Sequence, residues 1–404
     1  MANIHFRQSL SLDDKMALMQ EDARFDVADT ELDESAAEIA RIREGIKAPE
    51  GPSTAPKVFL SNDCLFNCSY CGCRKRREDK TRYAHDPHEF AEICGKVANE
   101  NGGKLFISSA IYKTPDYTGE LIIETMRILR QDMGFKGYIH AKVMPACSAE
   151  LIRQAGLFAN RLSVNIEVAK SEGYKLIAHE KNKANILAPM GQISRLIQEA
   201  KIEKSPFKPK FATSQSTQLM AGAAGEDDFT ILNLSQALYA KYRLSRVYYT
   251  AFGYQQDAEG YEDRPKVKTP AWRPTRLYQA DRLMQLYGFR ADEITPEDAP
   301  YLSSDFDPKA AWALRNLHIF PIEVNTADFE MLIRIPGIGI TYAKRIIEAR
   351  RHCTVTHDVL KRLGVSLKRS RHFLTADGKF SGTRKHGTED FAGLLRMPLE
   401  ELRL

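Results

Sequence analysis

The feature that most constrains this chain is an alternation of short apolar runs with longer helical stretches between residues 57 and 252. The runs are rich in β-branched residues, and the stretches between them have apolar residues at three- and four-residue spacing. Strands that alternate with helices pair in parallel through right-handed crossovers. Six such units favour a partial or complete α/β barrel, with a doubly wound sheet as the alternative, and either fold binds ligands at the carboxyl ends of its strands. The predicted strands cover residues 57–61, 104–109, 137–141, 161–168, 210–215 and 246–252.

The length of the chain, 404 residues, allows two or three domains. A charged helical segment precedes the alternating region and ends at a Pro- and Gly-rich boundary, GPSTAP. A long loop, a helical bridge and a last globular unit follow the alternating region. We therefore predict an N-terminal helical segment (1–50), an α/β barrel (51–255), a loop and helical bridge (256–320), a C-terminal all-α domain (321–388) and a tail (389–404).

Four of the seven cysteines fall within ten residues, directly after the first predicted strand. An odd number of cysteines argues against a disulfide framework and for a reducing cytoplasm, where clustered cysteines usually bind metal. Cys64, Cys68 and Cys71 have C-x3-C-x2-C spacing. Three thiolates on one loop can hold three irons of a [4Fe–4S] cube and leave the fourth iron open. Zinc, with Cys73 as a fourth ligand, is the alternative, but a ligand two residues from its neighbour is cramped, so the spacing favours an iron–sulfur cluster.

The motif, with the aromatic Tyr70 before its last cysteine and a barrel strand before its first, resembles that of radical S-adenosylmethionine (SAM) enzymes. The resemblance covers roughly residues 55–255. It implies a partial (β/α)6 barrel in which Cys64, Cys68 and Cys71 bind the cluster, SAM chelates the open iron and Tyr70 contacts the cofactor. It also implies that reductive cleavage of SAM gives a 5′-deoxyadenosyl radical that abstracts hydrogen from a substrate. In such enzymes the cofactor carries the chemistry, while the barrel excludes water.

The resemblance further implies SAM contacts after strands two, four and five. After strand two the superfamily often has Gly-Gly-Glu, whereas this chain has Ser-Ser-Ala and so departs at the ligand of the SAM amino group. After strand four, alternating polar residues share one face, which an ordinary strand with a polar face would also show. A glycine-rich turn after strand five is placed near the adenine, with a plain loop as the alternative. The expected SAM contacts are Ser108, Ser109, Ser163, Asn165, Glu167, Gly222, Gly225 and Glu226.

The net charge of +5 is unevenly distributed along the sequence. The window from Arg334 to Thr388 contains 13 Lys and Arg and three acidic residues, so it carries +10 and the remaining 349 residues carry −5. A basic segment suits a polyanion, because each Lys or Arg near a phosphate releases a condensed counterion. A solubilising face, or a docking face for an acidic protein, would have the same charge, so charge alone leaves these alternatives open.

Residues 324–351 have the pattern of two short amphipathic helices joined by a P-G-I-G turn, which resembles a helix-hairpin-helix module. Asn325 or Thr326 can cap the first helix. The glycines of the turn expose backbone N–H groups, which can hold a backbone phosphate beside a helix N-terminus without reading sequence. A helix pair that docks another protein is the alternative. The expected nucleic-acid contacts are Pro336, Gly337, Ile338, Gly339, Thr341, Lys344 and Arg345.

A radical SAM barrel followed by such a hairpin resembles, over most of the chain, the radical SAM family associated with DNA modification and repair. The resemblance implies an enzyme that acts on DNA, with an electron donor and a uracil-DNA-glycosylase-like protein as partners; the cysteine count places this enzyme in the cytoplasm as an expectation. Two alternatives stay open: a radical SAM enzyme that modifies RNA such as tRNA, because phosphate contact is blind to the 2′-OH, and a non-enzymatic iron–sulfur protein that binds nucleic acid. No run of about 18 apolar residues is present, so we expect no membrane span.

Overall fold

The computed structural model describes residues 55–76, 82–203, 210–253, 260–263, 266 and 268–382, together with Met19 and Leu395. The predicted N-terminal segment (1–50) and tail (389–404) otherwise lie outside the described residues. Contacts divide the described chain into a first unit, up to residue 226 and from 237 to 270, and a second unit, from 227 to 236 and from 271 onward. None of the described helices combines the length and the apolar character that a bilayer span requires.

The first unit contains six strands that form one parallel sheet in consecutive order. Among the described residues the last strand does not pair with the first, so the sheet is an open half-barrel. This order confirms the predicted fold class, a partial barrel of six β/α units. The strands are β1 (Lys57–Phe59), β2 (Lys104–Ser108), β3 (Tyr138–Lys142), β4 (Arg161–Ser163), β5 (Ser214–Ala221) and β6 (Arg246–Ala251).

Side-chain caps fix where several helices of this unit begin. Asp86, Thr114 and Asn182 each accept a hydrogen bond from a backbone N–H of the first turn, and a proline follows the first two caps. The last helix of the set begins in the second unit and ends in the first. The helices are α1 (Pro87–Glu100), α2 (Pro115–Arg127, continued by a π-helical turn at Ile128–Asp132), α3 (Ala149–Phe158), α4 (Glu172–Ile177), α5 (Lys183–Ile202) and α6 (Asp228–Tyr242).

The fifth strand differs most from the sequence prediction. It runs over Ser214–Ala221, whereas the pattern predicted residues 210–215. Its first half carries serine and glutamine, which have low intrinsic strand propensity, but pairing with β4 on one side and β6 on the other holds it extended. The glycine-rich turn consequently begins at residue 222, after this longer strand. The predicted fourth strand, 161–168, is regular only over Arg161–Ser163.

The second unit is helical apart from one short parallel pair of strands, β7 (Ile322–Glu323) and β8 (Leu374–Thr375). Aliphatic side chains fill its core; Leu332, Ile338 and Ile346 are at most 1% exposed. The helices are α7 (Trp272–Tyr287), α8 (Ala291–Ile294), α9 (Pro308–Arg315), a 3₁₀ turn (Leu317–Ile319), α10 (Phe329–Arg334), α11 (Ile340–Ala349), α12 (His357–Arg362) and α13 (Leu367–Ser370).

Candidate cofactor site and nucleic-acid hairpin

The cysteine motif lies on the loop that leaves the carboxyl end of β1. Backbone N–H groups point at two of its sulfur atoms: Phe66 N is 3.4 Å from Cys64 Sγ, and Cys73 N is 3.4 Å from Cys71 Sγ. A turn from Cys71 N to Cys68 O (3.1 Å) brings the last two motif cysteines close together. N–H donors favour the charged form of sulfur, so these contacts would stabilise the thiolates that form once a metal displaces the thiol protons.

The motif thiols are buried and act on one another electrostatically. Burial, followed by the neighbouring Cys71, raises the pKa of Cys64 to about 11. Burial also raises the pKa of Cys68 well above its ordinary value. Metal binding at such thiols has to release their protons. Within the part of the chain that the structure describes, no three His, Cys, Asp or Glu side chains converge closely enough to hold a single metal ion.

One arginine ties the two ends of the cysteine loop together. Arg82 donates from Nη1 to the carbonyl oxygens of Asn62 (2.6 Å) and Cys73 (2.9 Å), and from Nη2 to that of Arg74 (2.6 Å). Cys73 is only 3% exposed and packs against Phe59. Arg82 could not be identified from the sequence, because its partners are backbone carbonyls 8 to 20 residues away, for which a sequence carries no signal.

The motif cysteines line a cavity of about 300 Å³ in the first unit. Most of its walls come from the carboxyl-terminal halves of the strands and the loops that follow them, which is where parallel α/β sheets bind ligands. Residues that the sequence analysis did not single out also line it, including Lys142, Lys181, Gln218 and Thr250. The predicted cofactor residues that the structure brings together here are Cys64, Cys68, Tyr70, Cys71, Ser109, Asn165 and Glu167.

A buried ion pair faces this cavity. Lys181 Nζ lies 2.7 Å from Glu167 Oε1 and donates to the Tyr70 hydroxyl at 2.9 Å. Burial lowers the pKa of Lys181, but the Glu167 carboxylate outweighs it, so the net pKa lies above the ordinary value. Glu167 has a φ of 63°, a left-handed conformation that is uncommon outside glycine and marks a position held by its surroundings. Lys181 was missed from the sequence because it lies 14 residues from Glu167 and 111 from Tyr70.

Five of the predicted SAM contacts do not line this cavity. Ser108 and Ser163 are buried at the ends of β2 and β4. Gly222 and Gly225 form the turn after β5, where φ values of 82° and 70° favour glycine. The Glu226 carboxylate closes this turn by accepting two of its backbone N–H groups, at 2.9 and 2.8 Å. Contact of these five residues with SAM stays a prediction.

The hairpin in the second unit joins α10 to α11. Asp328 caps α10 by accepting from Met331 N at 2.7 Å. Gly337 has a φ of 90°, which glycine tolerates best, and a bond from Ile338 N to Ile335 O (3.0 Å) closes the turn. Of the predicted nucleic-acid contacts, the structure exposes Gly337, Thr341, Lys344 and Arg345, leaves Gly339 partly exposed, and buries Pro336 and Ile338.

A second hairpin follows the first and repeats its geometry. Gly364, between α12 and α13, has a φ of 86°, close to that of Gly337. A Cβ atom added at Gly337 would lie 3.4 Å from Ser370 of α13, and one added at Gly364 would lie 3.4 Å from Tyr342 of α11. Each turn therefore packs against the second helix of the other hairpin. Only the first hairpin was predicted from the sequence; the signal for the second is Gly364 followed by an aliphatic residue, Val365, which is buried.

Comparisons with known proteins support the assignment of the hairpin and give little information on the barrel. The family model described as a helix-hairpin-helix motif matches residues 319–356. No curated protein matches the chain. The second unit thus contains a helix-hairpin-helix motif, and its match covers a small part of the whole chain.

Solved structures give weak likenesses. The [FeFe]-hydrogenase maturase HydG from Carboxydothermus hydrogenoformans is 15% identical over 68% of this chain, which spans 60% of HydG, with a TM-score of 0.45. Methylornithine synthase (PylB) is 17% identical over 68% of this chain and 76% of its own, with a TM-score of 0.45. A second structure of HydG is 13% identical over 87% and 91%, with a TM-score of 0.41. Because their TM-scores are below 0.5, these likenesses do not assign the fold class, which follows from the strand order described above.

Proposed function

We propose that this chain is a radical SAM enzyme that acts on nucleic acid, on DNA in preference to RNA. The observation that carries the proposal is the loop after β1, where Cys64, Cys68 and Cys71 line one cavity beside the carboxyl ends of six parallel strands. Three thiol ligands on one loop suit a [4Fe–4S] cluster with one open iron. With SAM bound, that cluster would supply the electron that cleaves SAM to a 5′-deoxyadenosyl radical.

The side chains of the cavity fit such a cofactor in their chemistry. Ser109 follows β2, where the superfamily has its amino-group ligand, and its hydroxyl has no hydrogen-bond partner among the described residues. An unsatisfied buried hydroxyl costs about 1–3 kcal/mol, so a polar ligand would stabilise it. Asn165 and Glu167 present an amide and a carboxylate to the same cavity, which suits the hydroxyl and ammonium groups of SAM. Lys181 would keep the Glu167 carboxylate oriented through their 2.7 Å contact.

The helix-hairpin-helix motif supports the choice of nucleic acid as substrate. Lys344 and Arg345 are exposed on α11, and the turn before this helix is exposed at Gly337. Such a surface suits a phosphate backbone and carries no sequence information, so a target base inside a duplex would have to be flipped out. The preference for DNA, the electron donor and the uracil-DNA-glycosylase-like partner rest on the family resemblance, and the cytoplasmic location rests on the cysteine count.

The decisive experiment is anaerobic reconstitution of the whole chain with iron and sulfide, followed by dithionite and SAM. We expect about four irons per chain and release of 5′-deoxyadenosine, with a faster release when the correct nucleic acid is present. An intact cluster without SAM cleavage would contradict the proposed enzymatic activity and favour an iron–sulfur protein that binds nucleic acid. A colourless protein that contains zinc would contradict the proposed iron–sulfur cluster as well.

Competition binding separates DNA from RNA. Labelled duplex DNA is displaced by unlabelled DNA or by tRNA across a series of salt concentrations, because affinities at one salt concentration cannot be compared. We expect DNA to compete better at every salt concentration. Better competition by tRNA would move the substrate to RNA and leave the radical chemistry of the proposal intact.

A further inference from the structure

A lysine of the helical bridge contacts the turn of the first hairpin. Lys309, at the start of α9, donates from Nζ to the carbonyl oxygen of Ile338 at 2.5 Å. Its ammonium also lies 5.0 Å from the centre of the Tyr287 ring. Tyr287 adjoins the same turn, because a Cβ atom added at Gly339 would lie 3.3 Å from its hydroxyl oxygen. Lys309 precedes residues 319–356, which match the helix-hairpin-helix family model, so a residue outside the motif holds the turn of the motif.

The charge of Lys309 is not compensated by a carboxylate. Among the described residues, no Asp or Glu side chain comes within ion-pair distance of its Nζ atom. Asp307, the acidic residue beside it in the chain, caps α9 and pairs with Arg369 of α13 instead. An ammonium has three donors, and the bond to Ile338 uses one. A cation that is partly removed from water is costly unless an anion accompanies it, so this arrangement indicates a negatively charged partner near the turn.

The electrostatic surroundings of Lys309 agree with the lack of an ion-pair partner. Burial, the largest influence, lowers the pKa of Lys309 to about 7, while Asp307 raises it and Arg369 lowers it. The groups that face the ammonium are Asp307 at the cap of α9, Arg369 of α13 and Tyr287 of α7, and the turn at residues 335–339 has no titratable side chain. Lys309 therefore holds its proton weakly near neutral pH, and a bound anion would strengthen its hold.

The bond to Ile338 also orients one backbone N–H group. In a trans peptide the N–H and the C=O point in opposite directions, and the peptide between Ile338 and Gly339 is trans. The Gly339 N–H therefore points away from Lys309. It has no acceptor among the described residues, and Gly339 is partly exposed. A charged donor on a carbonyl polarises the N–H of the same peptide, which makes that N–H a stronger donor to an anion.

We propose that Lys309 is a positioning residue of the phosphate site at the first hairpin. Its ammonium fixes the peptide between Ile338 and Gly339 with the N–H directed away from α9, and it adds a positive charge on the other side of that peptide. A phosphate of a nucleic-acid backbone would accept from the N–H and be attracted by the charge. The inference rests on the proposed function, because it places a nucleic acid at the hairpin, and DNA binding rather than SAM turnover tests it.

The test measures the affinity of the full-length, cluster-reconstituted protein for labelled duplex DNA by fluorescence anisotropy. The salt concentration is fixed, and the pH runs from about 6 to about 9. A bound phosphate raises the pKa of Lys309, so DNA binding takes up a proton and is favoured below the pKa of the free protein, about 7. The affinity of wild type should therefore fall about tenfold as the pH rises across this range.

Two variants at Lys309 separate its charge from its packing. Lys309→Met removes the ammonium, so it should bind DNA about tenfold more weakly than wild type at about pH 6 and nearly as tightly at about pH 9. Lys309→Arg stays charged, so its affinity should match wild type at about pH 6 and exceed it about tenfold at about pH 9. The control is Lys379→Met, which removes an exposed lysine 3.8 Å from Asp377 and should keep the pH dependence of wild type.

Unfolding midpoints measured without DNA detect a role in the fold alone. If Lys309→Met lowers the midpoint and weakens DNA binding by the same factor at every pH, the lysine only supports the fold and the proposal is wrong. A pH dependence equal to that of wild type in Lys309→Arg would also overturn it. If wild type binds neither DNA nor tRNA at any pH, the nucleic-acid part of the proposed function fails and the inference fails with it. If the pH dependence is as expected but SAM is never cleaved, the inference stands and the proposed enzymatic activity fails.

Discussion

The two units of this protein treat their buried polar groups differently. In the first unit, the hydroxyls of four serines on or next to the sheet have no hydrogen-bond partner among the described residues. In the second unit, Thr275 Oγ1 and His357 Nε2 also lack a partner among the described residues, but no buried serine does, and the hairpins close their own helix ends: Asp328 caps α10, Thr356 caps α12, and Arg345 donates to Leu363 O at 3.0 Å. Polar groups without a hydrogen-bond partner in the protein are available to a ligand, whereas polar groups that are hydrogen-bonded within the protein stabilise one conformation.

This difference predicts two kinds of mutational response. Changes in the sheet unit should alter ligand content or binding first, because its open donors and thiols are arranged around a cavity. Changes in the hairpin unit should alter stability first, because its polar groups support the fold, except at Lys309 and the exposed cations of α11.

The largest effect is expected at the cysteine loop. Cys68→Ala removes one of the three proposed iron ligands, so iron and sulfide should fall to background and SAM cleavage should cease. Cys73→Ala is the matched control from the same loop, since Cys73 is buried against Phe59 and lies outside the three-cysteine motif. It should keep the iron. Loss of iron from both variants would favour a site with four protein ligands, and retention by both would remove the cysteine loop as the cluster site.

The next effect tests the buried ion pair in the same unit. Glu167→Gln leaves the Lys181 ammonium, 11% exposed, without its carboxylate, and we expect a loss of about 3–5 kcal/mol in the free energy of unfolding. The double variant Glu167→Gln/Lys181→Met should recover most of this loss. Urea unfolding followed by circular dichroism measures both.

An exposed pair provides the control for this measurement. Glu124→Gln breaks a 2.8 Å contact with Arg127 on the surface, where an ion pair is worth about 0–1 kcal/mol. Equal losses from Glu167→Gln and Glu124→Gln would show that the cavity is wetter than its burial indicates.

The sequence predicted the sheet well because strand and helix periodicity repeats over long stretches. Five of the six strands start within one residue of their predicted positions. The fifth differs because Ser216 and Gln218 are extended through pairing with their neighbours rather than through their own propensity. Helix α4 gave no long periodic signal and was not predicted.

The candidate site was predictable where its signal was local in the chain. The cysteine motif and the P-G-I-G turn are contiguous, so their spacing carries the information. Lys181 and Arg82 contact residues that are distant in the chain, and the path of the loops brings these residues together. Ser163 illustrates the limit: the alternation identified a polar face, but only the pairing with Ser216 on β5 reveals a row across strands.

A smaller effect should appear at Glu323 in the hairpin unit. Burial raises the pKa of Glu323, but bonds from Asn325 N (3.0 Å), Asn325 Nδ2 (2.7 Å) and Gly378 N (3.0 Å) outweigh it and lower the pKa to about 2. A lowered pKa stabilises the fold above the ordinary value of 4.5, and the stabilisation is lost as the pH falls toward about 2. Glu323→Gln should therefore cost about 1–3 kcal/mol at neutral pH, with the difference from wild type shrinking in acid.

Urea unfolding at several pH values, monitored by the near-ultraviolet signal, measures this difference. Glu330→Gln, at an exposed position of α10, is the control and should change the unfolding free energy little at any pH. If the loss of unfolding free energy in Glu323→Gln stays constant from pH 7 to about pH 3, packing rather than the charge of the carboxylate provides the stability.

The smallest effect on the fold, and the one specific to binding, is expected at Lys344. Its ammonium is exposed on α11, so Lys344→Ala should leave the unfolding free energy within about 0.5 kcal/mol of wild type. If Lys344 contacts a phosphate, the slope of log affinity for duplex DNA against log salt should become shallower by about 0.9. Lys201→Ala, an exposed lysine at the end of α5 in the sheet unit, removes the same charge and should change the slope less. Equal changes of the salt slope in the two variants would mean that DNA affinity depends on the net charge of the protein alone. The hairpin surface would then not differ from the rest of the exposed chain in DNA binding.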